Sequence, residues 1–418
     1  MKQPSTRTTS ISQNSTPFQS PHDQHDYAYY QHIFRGRALP LAYLDLDLLD
    51  QNIRLIASRA GGKRIRLASK SIRCPAVLQR ILAADPCFQG IMGFTAREAV
   101  YLSSQGFDDI LLGYPIYQTQ DIAAVAQATR TGAHITLMVD SLAHVQRIEQ
   151  IAQQHGVNLP LCLDIDMSLT LPGLHFGVWR SPLQTPEQTR ALIEHIIASP
   201  DVHLAGLMGY EAQIAGIGDN VPGAWIKNHV IRLLKHISIR EVTERRAAIV
   251  ELVKTCGGTL RFVNGGGTGS LATTREEPTV TEITVGSGFY SPALFDLYQD
   301  FRYQPAAGFA IEIVRIPGPG RYTCLGGGYI ASGAVGPEKL PKPYLPPGTT
   351  LEPLEGAGEV QTPIRYSGSI PLKQGDPIFL RHSKAGELCE RFTHLHLIAD
   401  GAIVAEVPTY RGAGQCFI

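Results

Sequence analysis

No stretch of this sequence approaches the ~20 consecutive apolar residues that a membrane-crossing helix needs, so no membrane partner is expected. An excess of one charge is missing too, because 37 Lys and Arg balance 37 Asp and Glu. A net charge of zero creates no field that would gather nucleic acid or an anionic surface, and the expected partner is a small molecule. The seven cysteines, Cys74, Cys87, Cys162, Cys256, Cys324, Cys389 and Cys416, include no CxxC pair. Their odd, scattered placement suggests neither a disulfide framework nor a zinc ribbon, and it fits a reducing cytoplasm. The N-terminus lacks the apolar core of a signal peptide and is rich in Ser, Thr, Gln and Pro, so residues 1–36 are expected to be a flexible arm. No internal repeat is present.

What is present is ordinary globular composition, with 44% apolar and 18% charged residues, enough to bury a sizeable core. From about residue 40, short apolar runs alternate with amphipathic segments, the pattern of βα units around a parallel sheet. "LAYLDLDLLDQNIRLIASRAG" passes from a strand into a helix that Asp47 or Asp50 could cap and that Gly61 and Gly62 end. "RIRLASK" is a strand, and Pro75 suits the first turn of the helix after it. Further strands are expected at "GIMGF", "DILLGY", "HITLMVD", "LPLCLDIDM", "HLAGLMGYE", "LRFVNGGGTG" and "EITVGSGFY". Their rhythm predicts a (β/α)₈ barrel over residues 37–300. After about residue 300 the sequence turns β-branched and Gly/Pro-punctuated, which predicts a smaller all-β domain over 301–418, with Asp400-Gly401 as one hairpin turn.

Side chains at the C-terminal ends of barrel strands face the active site. Lys70, in "RLASKSIRC", stands at such an end in the second unit. An amine on a partly dry wall loses its proton more easily and can act as a nucleophile, although a surface lysine is the ordinary reading of one residue alone. "VNGGGTGS" and "VGSGFY" follow strands in the seventh and eighth units, where glycine loops and hydroxyls commonly bind phosphate. Two such loops and an upstream strand-end lysine point to a phosphorylated cofactor held as a Schiff base.

Those segments, with "YLDLDLLDQNI", "ASKSIRCPAVL" and "GLMGYEAQIAG", resemble the fold-type III pyridoxal-phosphate enzymes, whose barrel is alanine-racemase-like. Within that fold the chain is most similar to the D-threonine aldolase and D-serine dehydratase branch, over about residues 38–415. The resemblance implies that Lys70 is the Schiff-base lysine and the base at the substrate Cα. It implies that Gly266, Gly267, Thr268, Gly286 and Ser287 hold the cofactor phosphate, with Gly288 shaping the loop. Tyr210 would lie against the pyridine ring with Gln213 nearby, and His175 would stand near the cofactor. Tyr210 and His175 are also readable as an ordinary core tyrosine and a structural histidine.

Two departures from the family pattern matter. Racemases of this fold place an arginine against the pyridine nitrogen, and the strand "TEITVGSG" offers Thr284 there. A guanidinium keeps that nitrogen unprotonated, so a neutral neighbour speaks against racemisation. In "RHSKAGELC", His382 matches the first residue of the family's metal pair, but Lys384 occupies the second position, and an ammonium cannot bind a metal. Either Cys389 or Glu387 replaces the missing ligand beside His382, or the Lys384 ammonium stands where the cation would be and polarises the substrate's β-hydroxyl. His394 and His396 alternate along a strand and are read as lining a solvated face.

The implied activity is cleavage of a D-3-hydroxy amino acid to glycine and an aldehyde by a cytoplasmic homodimer in which the β domain closes the partner subunit's active site. The alternatives are dehydration of D-serine or D-threonine, racemisation, a non-catalytic pyridoxal-phosphate carrier, and a phosphate-binding barrel without pyridoxal.

Overall fold

The computed structural model describes residues 25–418. Most of the expected arm, residues 1–24, therefore lies outside the described residues. Its remainder differs from the expectation, because Tyr27–Ile33 is a helix capped by Asp26, whose side chain accepts from the Tyr29 N–H. Its aromatic face is what orders it. Tyr27 and Tyr30 are buried against Phe379, and their hydroxyls donate to the Pro377 carbonyl and to Asp45 Oδ2.

Strand β1 (Leu41–Asp45) leads into the helix Leu46–Arg59. The cap of that helix is Asp45, not Asp47 or Asp50, since Asp45 Oδ1 takes the Leu48 N–H at 3.1 Å. Then follow β2 (Arg64–Ala68), β3 (Phe88–Gly93), β4 (Ile110–Leu112), β5 (Ile135–Val139) and β6 (Leu159–Asp164). A small hairpin, β7 (Leu169–Leu171) with β8 (Leu174–Phe176), precedes β9 (Val202–Gly209), β10 (Phe262–Gly265) and β11 (Glu282–Val285). Strands β2 to β6 and β9 to β11 pair in parallel and close into an eight-stranded barrel, with β9 beside β10 and β11 beside β2. The helices between them cover its outside, so strands such as β5 are buried along their whole length.

The (β/α)₈ architecture expected from the sequence is present, with one correction. β1 is not a barrel strand: it pairs antiparallel with β12 (Ala307–Gly318) and parallel with a strand near the C-terminus, β18 (His394–Ala399). All five of its residues are buried, and the second layer supplies the cover they need. The lysine strand β2 is thus the first of the barrel, and the glycine-loop strands β10 and β11 are the seventh and eighth.

That second layer is a nine-stranded sheet of β1, β12, β13 (Arg321–Leu325), β14 (Lys342–Leu345), β15 (Thr349–Leu351), β16 (Gln361–Tyr366), β17 (Pro377–Arg381), β18 (His394–Ala399) and β19 (Ala402–Pro408). The turn between β18 and β19 has Asp400 and Gly401 both at positive φ, as a tight hairpin requires. His396 on β18 faces Glu406 at 3.6 Å and the edge of Phe34. Between β9 and β10 runs a 31-residue helix, Trp225–Thr255. No helix among the described residues is long and apolar enough to cross a membrane.

Inside the barrel, Leu111, Met138, Cys162, Met208 and Phe262 form a separate apolar cluster with Met92 packed against it. The fully buried Arg66 makes a two-pronged pair with Glu282, at 2.7 and 2.9 Å, and reaches Asp109 at 3.0 Å. Two buried charges and the partly exposed Asp109 are tolerable because each is paired and hydrogen-bonded.

Candidate active site

The C-terminal ends of the barrel strands open into a cavity of about 320 Å³, roofed by residues of the second layer. Lys70 lines it from a single helical turn, Ser69–Ser71, that follows β2. The Lys70 carbonyl accepts from Arg73 Nε at 2.9 Å and from the Gly386 N–H at 3.2 Å. Two donors fix the turn, and one comes from the β domain of the same chain. That contact, and the presence of Lys339, Lys384 and Ala385 in the cavity wall, bring the chain's own β domain to its own Lys70. The connection after β17 carries Lys384 and Ala385 to the cavity, and Lys339 reaches it from the segment before Lys342–Leu345.

Lys70 Nζ donates to Tyr114 Oη at 2.8 Å. Burial pushes the Tyr114 phenol up, but the charges of Lys70 and Arg180 outweigh it and hold the phenol below its ordinary value. The Arg180 guanidinium lies over both the Tyr114 and Tyr210 rings, 5.5 and 5.0 Å from their centroids. Tyr210 lines the cavity, as expected, and burial pushes its phenol up to about 12.

The two glycine loops meet in the cavity wall, the second of them against the Lys70 turn. Gly266, Gly267, Thr268, Gly286 and Ser287 all line it. Gly266 needs to be glycine, because its φ is +74° and a Cβ would fall 2.7 Å from Ile283 Cγ2. Its N–H is committed to Glu211 Oε2 at 3.0 Å. Glu211 also accepts from Ser270, Thr274 and Arg246, so a buried carboxylate organises the first loop. Thr268 Oγ1 accepts the Gly288 N–H at 3.0 Å and ties the loops together. Gly288 therefore shapes the second loop without lining the cavity. Ser71 and Ser287 bring their hydroxyls within 3.3 Å of each other beneath Gly286.

A polar thread rises from the barrel interior to the cavity. Glu282 accepts from Asn264 Nδ2 at 2.9 Å, and Asn264 bonds the Thr284 hydroxyl at 2.8 and 3.1 Å. Asn264 and Thr284 both line the floor, so the group presented there is a held, neutral hydroxyl.

Other residues singled out from the sequence lie elsewhere. Gln213 is buried with its amide donating to the Met167 carbonyl at 2.6 Å, and it does not line the cavity. His175 sits on β8 and stacks on Trp179 at 3.9 Å, because the β7–β8 hairpin carries it outward; Arg180 enters the cavity instead. His382 is 1% exposed, neither ring nitrogen has a partner, and its ring meets the edge of Tyr290 rather than the cavity. Burial and the Arg381 charge push its imidazole down to about 3. Cys389 is fully buried, which pushes its thiol up, and Glu387 accepts the Ser332 N–H. A divalent metal does not fit this set. Its expected ligands do not face the cavity, and the described residues contain no group of three or more His, Cys, Asp or Glu that could hold an ion.

Lys384 does line the cavity. Its Nζ donates to the carbonyl and hydroxyl of Ser332, each at 3.1 Å, and burial with the neighbouring charges of Lys339 and Lys70 lowers its pKa. Tyr114, Arg180, Lys339 and Asn264 were not singled out from the sequence. Tyr114 and Asn264 were findable, since each sits at a barrel strand's C-terminal end; Arg180 and Lys339 lie in irregular segments that carry no such signal. Asp164, at the end of β6, is held up at about 7 by burial, against the Arg180 charge and with the help of Asp140 and Asp166.

A (β/α)₈ barrel, a strand-end amine and paired glycine loops thus share one cavity. The chain belongs to the family described as alanine racemase, N-terminal domain, whose model matches residues 44–290. It is 25% identical to a 3-hydroxy-D-aspartate aldolase of Paracoccus denitrificans over 265 residues, 62% of each chain, and so matches less than two thirds of that relative's length. It is 30% identical to a D-threo-3-hydroxyaspartate dehydratase of Delftia sp. over 132 residues, 30% of this chain and 33% of that one. Among solved structures, the D-threonine aldolase from Filomicrobium marinum superposes with a TM-score of 0.76 at 17% identity, covering 90% of this chain and 95% of that one. The Delftia dehydratase gives 0.71 at 18%, covering 90% and 98%. At these identities the superpositions establish the fold.

The family's fold implies pyridoxal phosphate, and the cavity suits it. A Cβ on Gly267 would come within 3.0 Å of Ala215 and 3.4 Å of the Tyr210 ring, and one on Gly286 within 2.7 Å of Ser71 Oγ. Both loops thus pack their bare backbone close against the cavity wall, where peptide N–H groups can meet a phosphate.

Proposed function

We propose that the chain is a pyridoxal-phosphate-dependent lyase that cleaves D-3-hydroxy amino acids to glycine and an aldehyde. The observation that carries this reading is the single cavity shared by the Lys70 amine, the two glycine loops and the neutral floor at Thr284. Gly267, Thr268, Gly286, Ser287 and Ser71 would hold the cofactor phosphate, Tyr210 would flank its ring, and Lys70 would carry it. When bound, the cofactor supplies a sink for the electron pair of the broken Cα–Cβ bond. Thr284, fixed by Asn264, presents no guanidinium to the ring nitrogen, which favours a lyase over a racemase. Arg180, a cation among tyrosine rings, can bind the substrate's α-carboxylate. The Lys70 amine, freed from its anchoring role, would take the β-hydroxyl proton as the Cα–Cβ bond breaks and return it to Cα as glycine forms.

Dehydration to a 2-oxo acid and ammonia is the second reading, favoured by the 30% identity to the Delftia dehydratase. A homodimer remains part of the proposal: the first half of the helix Trp225–Thr255 exposes Ile226, Val230, Leu233 and Ile237 at helical spacing. Light scattering measures it, and a monomer would remove that part. For the activity, the cofactor-loaded protein is incubated with D-threonine, D-serine and D-3-hydroxyaspartate while aldehyde, glycine and keto acid are followed. Borohydride reduction should fix the cofactor to Lys70 and not to Lys70→Ala protein. Full cofactor occupancy without turnover of any of these substrates would sink the lyase reading.

A further inference from the structure

We infer that Lys384 takes the place of a metal ion in this enzyme, meeting the substrate's β-oxygen with an ammonium N–H, so that turnover requires no divalent cation. The inference rests on the proposed function and concerns the part of the wall that the β domain supplies.

Three observations carry it. First, His382 and Lys384 are two residues apart, but only Lys384 reaches the cavity, while the His382 ring is shut into the core behind Tyr290. β17 ends at Arg381, so His382 and Lys384 lie past its extended alternation, and their side chains do not converge on one point. Second, Lys384 is anchored. Ser332 takes two hydrogen bonds from its ammonium, which carries three donors, leaving one for an oxygen in the cavity. A tethered donor costs little reorganisation when charge develops on its acceptor, the condition under which such groups accelerate reactions. Third, the wall is already cationic. The Nζ atoms of Lys339 and Lys384 both lie 3.8 Å from the position that a Cβ on Gly333 would take, so the two ammonium groups are near neighbours. Arg180 adds a further cation, and among the described residues no carboxylate lines the cavity. A divalent cation placed here would meet repulsion and no anionic ligand. An oxygen that gains negative charge as its proton leaves meets the opposite field.

Lys384 therefore orients the β-hydroxyl toward the cavity wall and offsets the charge on its oxygen in the transition state, while Lys339 reinforces the field. The test uses cofactor-loaded enzyme with D-threonine and D-3-hydroxyaspartate, assayed as prepared, after EDTA, and after re-addition of Mn²⁺ or Zn²⁺, with elemental analysis of the same sample. Turnover is expected to be unchanged by EDTA, with less than stoichiometric metal. Lys384→Met should lower kcat by about 10²–10³-fold while the cofactor's absorbance shows full loading, and Lys384→Arg should recover part of the loss. Activity that EDTA abolishes and Mn²⁺ or Zn²⁺ restores overturns this inference and leaves the lyase reading standing. So does a fully loaded Lys384→Met enzyme with wild-type kcat. If Lys384→Met fails to fold, the chelation arm and Lys384→Arg decide. A wild type that binds cofactor and turns over no D-3-hydroxy amino acid overturns the proposed function and the inference with it.

Discussion

Glu211 is the residue on which the glycine loops hang, and replacing it with glutamine tests that directly. Its carboxylate is buried and accepts from the Gly266 N–H, Ser270, Thr274 and Arg246. Arg246, itself fully buried, has Glu277 as its second partner. Removing one partner of a buried pair typically costs 3–5 kcal/mol, because a charge is left uncompensated. Glu277 remains to Arg246, so the lower end applies, about 3 kcal/mol. That is a large part of a total stability on the order of 5–15 kcal/mol. For an m-value on the order of 3 kcal/mol/M, the urea midpoint of the cofactor-free protein should fall by about 1 M. The functional consequence separates Glu211 from its neighbour. Glu211→Gln points an NH₂ group into a cluster of donors and frees the Gly266 peptide, so pyridoxal phosphate should bind at least about tenfold more weakly, a change of roughly 1.4 kcal/mol. Glu277→Gln should destabilise the fold similarly but leave the loop, and cofactor affinity, within about twofold of wild type. Absorbance titration with cofactor reads both. If Glu211→Gln binds cofactor as tightly as wild type, the loop does not depend on this carboxylate and the reasoning fails.

Two further perturbations follow from the same geometry. Gly286→Ala places a methyl 2.7 Å from Ser71 Oγ and 2.8 Å from Ala68 Cβ, overpacking of the kind that costs about 1–3 kcal/mol, so reduced cofactor loading and a lower unfolding midpoint are expected; normal loading would show that the Lys70 turn yields easily. Glu98, which accepts from the Phe94 N–H and the Tyr410 hydroxyl behind that turn, is raised by burial to about 7 from an ordinary 4.5. Between those two pH values the folded chain holds a proton that the unfolded chain has lost, so Glu98 makes stability fall as pH rises through that window. Glu98→Gln should flatten this part of the profile, measured as urea midpoints at pH 5 and 8, and parallel profiles for the two proteins would refute the assignment.

The route from sequence to site was uneven for physical reasons. Lys70, Gly266, Gly267, Thr268, Gly286 and Ser287 were legible because a barrel obliges strand ends to face one mouth, and position along a strand is written in the apolar pattern. Tyr210 followed from the resemblance. His175 and Arg180 exchange places because both lie in the irregular stretch around the β7–β8 hairpin. There a turn, not a period, decides which side chain points inward, and stacking on Trp179 takes the histidine. β1 was misplaced because a short apolar strand before a helix looks the same whether it joins the barrel or a second sheet. Its partners, β12 and β18, lie more than 260 residues downstream.

The sequence by itself determined the alternating architecture, the amine at a strand end, the paired glycine loops, and the substitution of a lysine for an expected metal ligand. These are local properties, set by apolar spacing, by glycine where a Cβ has no room, and by the chemistry of single side chains. Only the tertiary structure decided which groups share the cavity. It closed His382 into the core and left Lys384 in the wall with Lys339, and it turned the β domain onto its own chain's Lys70. Such outcomes depend on the packing of segments hundreds of residues apart. No local pattern records them.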